Sequence, residues 1–163
     1  KNGIDSIEFD TNKYTYINKN DDEKNYGLEL EYSKLFENRS KLFLNSSYNI
    51  FEYKNSYYNF DINTPVVSKL TTTLGFIYPL SSKFTISPLL RYYGDKNLLN
   101  GTEIDDVLLT DLTLSYRFSK DSKLSFGAKN LFDQNYYYYG NKTKDEKMLR
   151  EGRTWFTSFS YDF

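Results

Sequence analysis

Side-chain character alternates with a period of two along most of this chain, and only an extended strand converts that pattern into two distinct faces. In residues 154–163, Trp155, Thr157, Phe159, Tyr161 and Phe163 share one parity, while Thr154, Phe156, Ser158, Ser160 and Asp162 share the other. Upstream, Leu108, Thr110, Leu112, Leu114, Tyr116 and Phe118 oppose Asp111, Thr113, Ser115 and Arg117, with Leu109 as the exception. The same alternation runs through residues 26–33, 42–51, 70–78, 84–93 and 124–129, and a short strand over 4–9 opens the set, giving eight strands. Pro88 interrupts one of them. Proline has no N–H for a ladder, so a bulge or a break in pairing is expected there.

The connections are as informative as the strands. Those at 37–39, 79–82 and 119–122 are short; those at 10–25, 54–65, 95–105 and 133–151 are long and polar. Short and long alternate. In an antiparallel up-and-down meander alternate connections lie at the same end, so one end is trimmed and the other elaborated. Strands of about 10–13 residues with this asymmetry fit an all-β transmembrane barrel with short periplasmic turns and long extracellular loops. The apolar parity then faces lipid, the polar parity faces the lumen, and Tyr26, Tyr78, Tyr92, Tyr116, Phe118 and Trp155 suit interfacial girdles. Phe163 ends the chain on the short-turn side. A soluble, lipocalin-like barrel also alternates, but it does not account for the loop asymmetry.

Composition agrees. Aromatic residues make up 19% of the chain although all hydrophobic residues reach only 39%, and mean hydropathy is −0.70. Apolar content concentrated in rings argues against a helical bundle, and aromatic richness argues against disorder. The 21 basic and 22 acidic residues give a net charge of −1, so no basic field draws nucleic acid. The chain has no Cys and no His, which removes thiol chemistry, His-ligated metals and Ser-His-Asp catalysis; no catalytic residue, metal site or cofactor is expected. No run of about 18 apolar residues is present, and no signal peptide opens the chain, so it reads as a mature form, a cytosolic protein or a fragment.

Three local features share a resemblance: Asn130-Leu131-Phe132-Asp133 followed by Tyr136 and Gly140; Gly152-Arg153 leading into the last aromatic strand; and Tyr26-Gly27-Leu28-Glu29-Leu30 opening a strand. Together they resemble the C-terminal part of TonB-dependent outer-membrane receptors, whose next-to-last strand ends in an Asn-Leu-Phe-Asp type motif and whose last strand opens with Gly-Arg. Glu151 departs from the Pro often found there. The motif residues also have an architectural reading, because Asn130 and Asp133 can bond nearby backbone and Gly152 permits an unusual backbone path.

The resemblance implies that residues 1–163 form the C-terminal part of a barrel of about 22 strands with a plugged lumen, the N-terminal plug lying outside this chain. A complete eight-stranded barrel with a structural or adhesive role is the alternative. It further implies residence in the outer membrane of a Gram-negative bacterium, uptake of a ferric siderophore, haem or cobalamin, and energy from the TonB complex through the absent N-terminal region. The barrel-assembly machinery would read Phe159, Tyr161 and Phe163. Ligand contacts are expected in the long loops and lumen. Tyr136, Tyr137, Tyr138 and Tyr139 offer an aromatic surface or continue a girdle. Arg91 and Arg117 attract an anion or pair with Asp111, Glu29 or Glu31. Glu103, Asp105 and Asp106 lack calcium-loop spacing, and residues 142–151 read as a hydrated, mixed-sign loop.

Overall fold

A computed structural model describes residues 6–10, 13–17, 23–55, 60–62, 68–97, 103–141 and 146–162. The described residues form strands, turns and bends, with no helix. In chain order the strands are β1 (Ser6–Asp10), β2 (Lys13–Ile17), β3 (Glu23–Leu35), β4 (Lys41–Asn55), β5 (Phe60–Ile62), β6 (Leu70–Pro79), β7 (Phe84–Tyr93), β8 (Lys96–Asn97), β9 (Glu103–Ile104), β10 (Val107–Arg117), β11 (Ser122–Lys129), β12 (Tyr137–Asn141), β13 (Glu146–Leu149) and β14 (Thr154–Tyr161).

One antiparallel sheet dominates, with the order β14-β11-β10-β7-β6-β4-β3 and β5 paired to β4. It has eight strands, as the alternation predicts, but their membership differs. The strand expected at 4–9 is β1, and it pairs with β2 in a separate hairpin, with Ile7 opposite Tyr16 and Phe9 opposite Tyr14. A local hairpin needs little loop-closure entropy, so it competes well with a distant edge. β5 supplies the eighth strand. Among the described residues β3 and β14 each keep an open edge, so the sheet is not closed.

The short connections are tight turns held by side chains. Asn38 Oδ1 accepts the Ser40 N–H at 3.1 Å and its hydroxyl at 2.6 Å, while Arg39 takes φ 65°. Ser81 Oγ accepts the Phe84 N–H at 3.1 Å, and Ser119 Oγ accepts the Ser122 N–H at 3.1 Å. The long connections depart from the expectation of plain loops. β8 and β9 pair within 95–105, β12 and β13 pair within 133–151, and β5 returns along β4. The elaborated end is therefore built of hairpins.

At Pro88 the pairing breaks without a bulge. Pro88 stays opposite Leu112 of β10, but the β6 ladder stops at Gly75–Leu89 and resumes in the same register at Tyr78–Ile86. The missing N–H accounts for the gap.

The two parities form two different surfaces. The apolar parity is open: Leu28 is 73% exposed, Leu30 55%, Leu114 46% and Phe159 64%. Among the described residues only Ile104, Leu109 and Ala128 are buried apolar side chains, so apolar residues do not gather in an internal core. An apolar face this extensive requires an apolar partner. Rings band its two ends. Phe84, Tyr116 and Phe118 pack in series at 4.7 Å near the short turns, and Trp155 stacks on Phe126 at 5.5 Å near the other end. Phe84 and Tyr92 bound the same strand eight residues apart, about 27 Å along it or about 21 Å across a membrane at a tilt of about 40°, close to the apolar band of about 25 Å. Ser46 and Thr72, polar residues on this face, bond each other at 2.9 Å. On the polar face the Phe43 ring covers Gly75 and the Phe156 ring covers Gly127, where a Cβ would collide with the ring.

This geometry predicts a depth- and face-dependent cost for charge. In the intact protein folded in bilayers, Leu30→Arg should destabilise by about 2–4 kcal/mol. Asn45→Arg, on the polar face opposite Glu31, should cost under about 1 kcal/mol. Denaturant titration in lipid vesicles measures both.

Candidate functional site

The residues of the Asn130–Asp133 and Gly152-Arg153 motifs converge on one joint. Leaving β11, the chain turns at Asn130 (φ 49°) and Asp133 (φ 55°), left-handed conformations that Asn and Asp tolerate best among residues with a Cβ. The buried Asn130 carboxamide closes the turn: its Nδ2 donates to the Gln134 carbonyl and its Oδ1 accepts the Gln134 N–H, both at 2.9 Å. The Asp133 carboxylate then accepts the Arg153 N–H at 2.6 Å, which fixes where β14 begins. A Cβ on Gly152 would lie 2.7 Å from that carboxylate, so any larger residue there would displace the Asp133 side chain. The Leu131 N–H donates to the Thr110 carbonyl at 2.7 Å, Phe132 is exposed, and the Arg153 guanidinium lies 5.9 Å from the Trp155 ring centre.

Arg91 ties this joint to the neighbouring strands. Its Nη2 donates to Asp111 Oδ1 at 2.8 Å and lies 2.8 Å from Oδ2. The same carboxylate accepts the Asn130 N–H at 2.9 Å. One anionic side chain thus links β7, β10 and the exit of β11, and charge-assisted bonds of this kind are stronger than neutral ones.

Beyond the joint rises the β12–β13 hairpin with the tyrosine run. The Arg150 N–H donates to the Tyr136 carbonyl at 3.0 Å, and Tyr136 meets Tyr138 edge to face at 6.3 Å. Two cations flank Tyr138: Lys96 Nζ lies 4.2 Å from its ring centre and Arg150 Cζ 4.5 Å. Tyr137 and Tyr138 are 38% and 40% exposed. Desolvation and the Arg150 charge hold the Lys96 ammonium below the usual lysine range. Two cations sharing one electron-rich ring make a surface suited to an anion. Tyr139 lies in β12.

A family model described as "TonB dependent receptor-like, beta-barrel" matches residues 1–131. The chain belongs to the TonB-dependent receptor family. Among curated proteins it is 28% identical over 83 residues to the vitamin B12 transporter BtuB of Vibrio vulnificus YJ016, a match covering 51% of this chain and 13% of that protein. Among solved structures, it resembles the ferric-catecholate import receptor Fiu of E. coli K12 in closed form, with a TM-score of 0.72, 18% identity and 96% and 23% of the two chains covered. The Pseudomonas aeruginosa ferripyoverdine receptor bound to ferripyoverdine superposes with a TM-score of 0.68 at 20% identity over 91% and 21%. The chain thus spans under a quarter of the length of these relatives.

Within this receptor-family sheet the singled-out residues separate. Arg91 and the tyrosines lie toward the elaborated end, with Arg91 paired to Asp111. Arg117 lies at the short-turn end of β10, ten residues from Val107 at the elaborated end and about 33 Å along the strand. Phe159 and Tyr161 sit on the apolar parity of β14, opposite Leu124 and Ser122; Phe163 lies outside the described residues. β14 ends at the short turns, where the Asp162 N–H donates to the Asp121 carbonyl at 2.9 Å. Glu103 is in β9, and no group of three His, Cys, Asp or Glu able to hold a metal occurs among the described residues. The residue of this cluster not foreseen is Lys96, together with the contact of Arg150 on Tyr138. Tyr138 faces Met148 across the hairpin, which makes Arg150 its diagonal neighbour on the same face. Reading 133–151 as a hairpin would have exposed that pairing; nothing local marks Lys96.

The Arg91–Asp111 pair should be coupled. A double-mutant cycle with Arg91→Ala and Asp111→Ala, read by denaturant unfolding of the intact receptor, should give an interaction energy of about 1–2 kcal/mol. Additive losses would mean that the pair contributes nothing.

Proposed function

We propose that this chain is the C-terminal barrel portion of a larger outer-membrane receptor that binds an anionic metal chelate at its elaborated end and imports it with energy from TonB. The observation carrying this reading is the Tyr138 ring held between Lys96 and Arg150. These cations repel each other, and a bound anion relieves that repulsion. The tyrosines add rigid aromatic contact area. A ferric catecholate siderophore, anionic and aromatic, matches that surface better than haem or cobalamin. Tyr136, Tyr137, Tyr138 and Tyr139 are the proposed contact residues, while Arg91, already neutralised, positions the hairpin that carries them.

Family membership, the outward apolar band and the short span relative to the relatives support the larger assembly. Its remaining strands would close the edges of β3 and β14. Its upstream region would fill the lumen and reach TonB, the apolar parity would face the lipid of a Gram-negative outer membrane, and the assembly machinery would read the terminal aromatics Phe159, Tyr161 and Phe163. The reaction is binding and passage, with no chemical step.

Equilibrium binding of a panel comprising a ferric catecholate, haem and cobalamin to the intact receptor tests the proposal. The ferric catecholate should bind tightest, and Lys96→Ala or Arg150→Ala should each weaken it about tenfold. Because the Lys96 pKa is lowered, affinity should fall as pH rises, starting below the ordinary lysine range, and Lys96→Arg should move that loss to higher pH. Preference for cobalamin, with no effect of either substitution, would overturn this reading.

A further inference from the structure

β8 and β9 are two residues each, with Lys96 opposite Ile104 and Asn97 opposite Glu103. A two-stranded ladder this short is not stable by itself in water and has to pack on a neighbour. Lys96 and Ile104, directly opposite, share one face of the hairpin, and both meet the tyrosine run. Lys96 Nζ lies 4.2 Å from the Tyr138 ring centre, and Ile104, 3% exposed, lines a crevice with Gly94, Val107, Tyr136 and Tyr138. The space left in that crevice is about 10 Å³, no more than a single water needs, so the contact is packed. Glu103, on the other face, is exposed. Among the described residues Ile104 is the one buried apolar side chain that lies outside the main sheet, since Leu109 and Ala128 belong to β10 and β11. Asp105 lines the same crevice, yet Lys96 forms no ion pair among the described residues. Its position is set by its ladder partner and by the ring.

Burying one isoleucine shifts a docking equilibrium by about tenfold or more, enough to hold a short hairpin in one place. We propose that the β8–β9 hairpin docks on the β12–β13 hairpin through Ile104 before any ligand arrives, and that Ile104 is the positioning residue that holds Lys96 over Tyr138. The role of Lys96 toward a ligand rests on the proposed anion site at Tyr138. Arg150 needs no such device, because it follows β13 directly and its N–H bonds the Tyr136 carbonyl. Lys96 reaches the same ring from a separate connection and depends on the docked hairpin. The site is thus assembled from two connections and is preorganised. A hairpin that swung free would offer Lys96 only in the fraction of molecules in which it was docked, and apparent affinity would fall by that fraction.

Spin labels attached through Glu103→Cys and Lys147→Cys, exposed positions on the two hairpins, report the distance between them in the intact receptor in lipid vesicles by double electron–electron resonance. One narrow distance, the same with and without a ferric catecholate, is expected. Ile104→Asn should broaden it and weaken binding of the ferric catecholate about tenfold, whereas Ile104→Val should leave both unchanged. A distance in the otherwise unchanged receptor that is broad, or that narrows only with ligand, would overturn the docking. An Ile104→Asn receptor that binds at full strength while Lys96→Ala still weakens binding would overturn the positioning role and leave the anion site standing. A narrow distance that Ile104→Asn broadens, with binding indifferent to both Ile104→Asn and Lys96→Ala, would uphold the docked pair and refute the anion site at Tyr138.

Discussion

Every feature of this sheet follows from the rule that backbone N–H and C=O groups inside a bilayer must bond to one another. An up-and-down meander meets that rule between neighbouring strands with the shortest connections, and among the described residues it leaves two open edges, at β3 and β14. With the backbone occupied, side chains decide which surface meets which medium. Alternate residues serve lipid and lumen, which is why a chain with 19% aromatic residues still has a mean hydropathy of −0.70. The polar exceptions on the lipid side obey the same rule, since the Ser46 and Thr72 hydroxyls satisfy each other.

The polar face is divided electrostatically along its length. Toward the elaborated end, positive charge is either cancelled, as in Arg91 with Asp111, or laid on an aromatic ring, as in Lys96 and Arg150 on Tyr138. At the trimmed end, Arg117 and Lys123 face each other beside Asp121 and Asp162 and form no ion pair among the described residues. The joint at Asn130, Asp133 and Gly152 connects these regions to the hairpin above, because it sets both the exit from β11 and the entry to β14. The charge arrangement thus differs between the two ends of the polar face.

The strands were readable because period two is a local signal: residues 84–93 were delimited as β7 appears, and 70–78 falls within one residue of β6. The turns at 37–39 and 119–122 are readable as short gaps between alternating segments, while the Asn38 and Ser119 bonds that hold them show only in the fold. The hairpins at the elaborated end were missed because short pairs such as β8 with β9 carry too few residues for alternation to register. Lys96 was missed for a related reason. Its contact with Tyr138 joins segments about forty residues apart, and loop pairing at that range leaves no period in the sequence. Arg91 illustrates partial legibility: shared parity leaves Asp111, Glu29, Glu31 or an anionic ligand as its partner, the fold selects Asp111, and the third member, the Asn130 N–H, depends on a turn geometry that only the fold displays.

One parity of each long strand meets lipid and the other does not. Nitroxide labels placed one at a time at residues 108–115 of the intact receptor in bilayers test it through their collision rates with dissolved oxygen, which concentrates in lipid. High rates are expected at Leu108, Thr110, Leu112 and Leu114 and low rates at Leu109, Asp111, Thr113 and Ser115. Uniform rates along β10, or the opposite alternation, would contradict it.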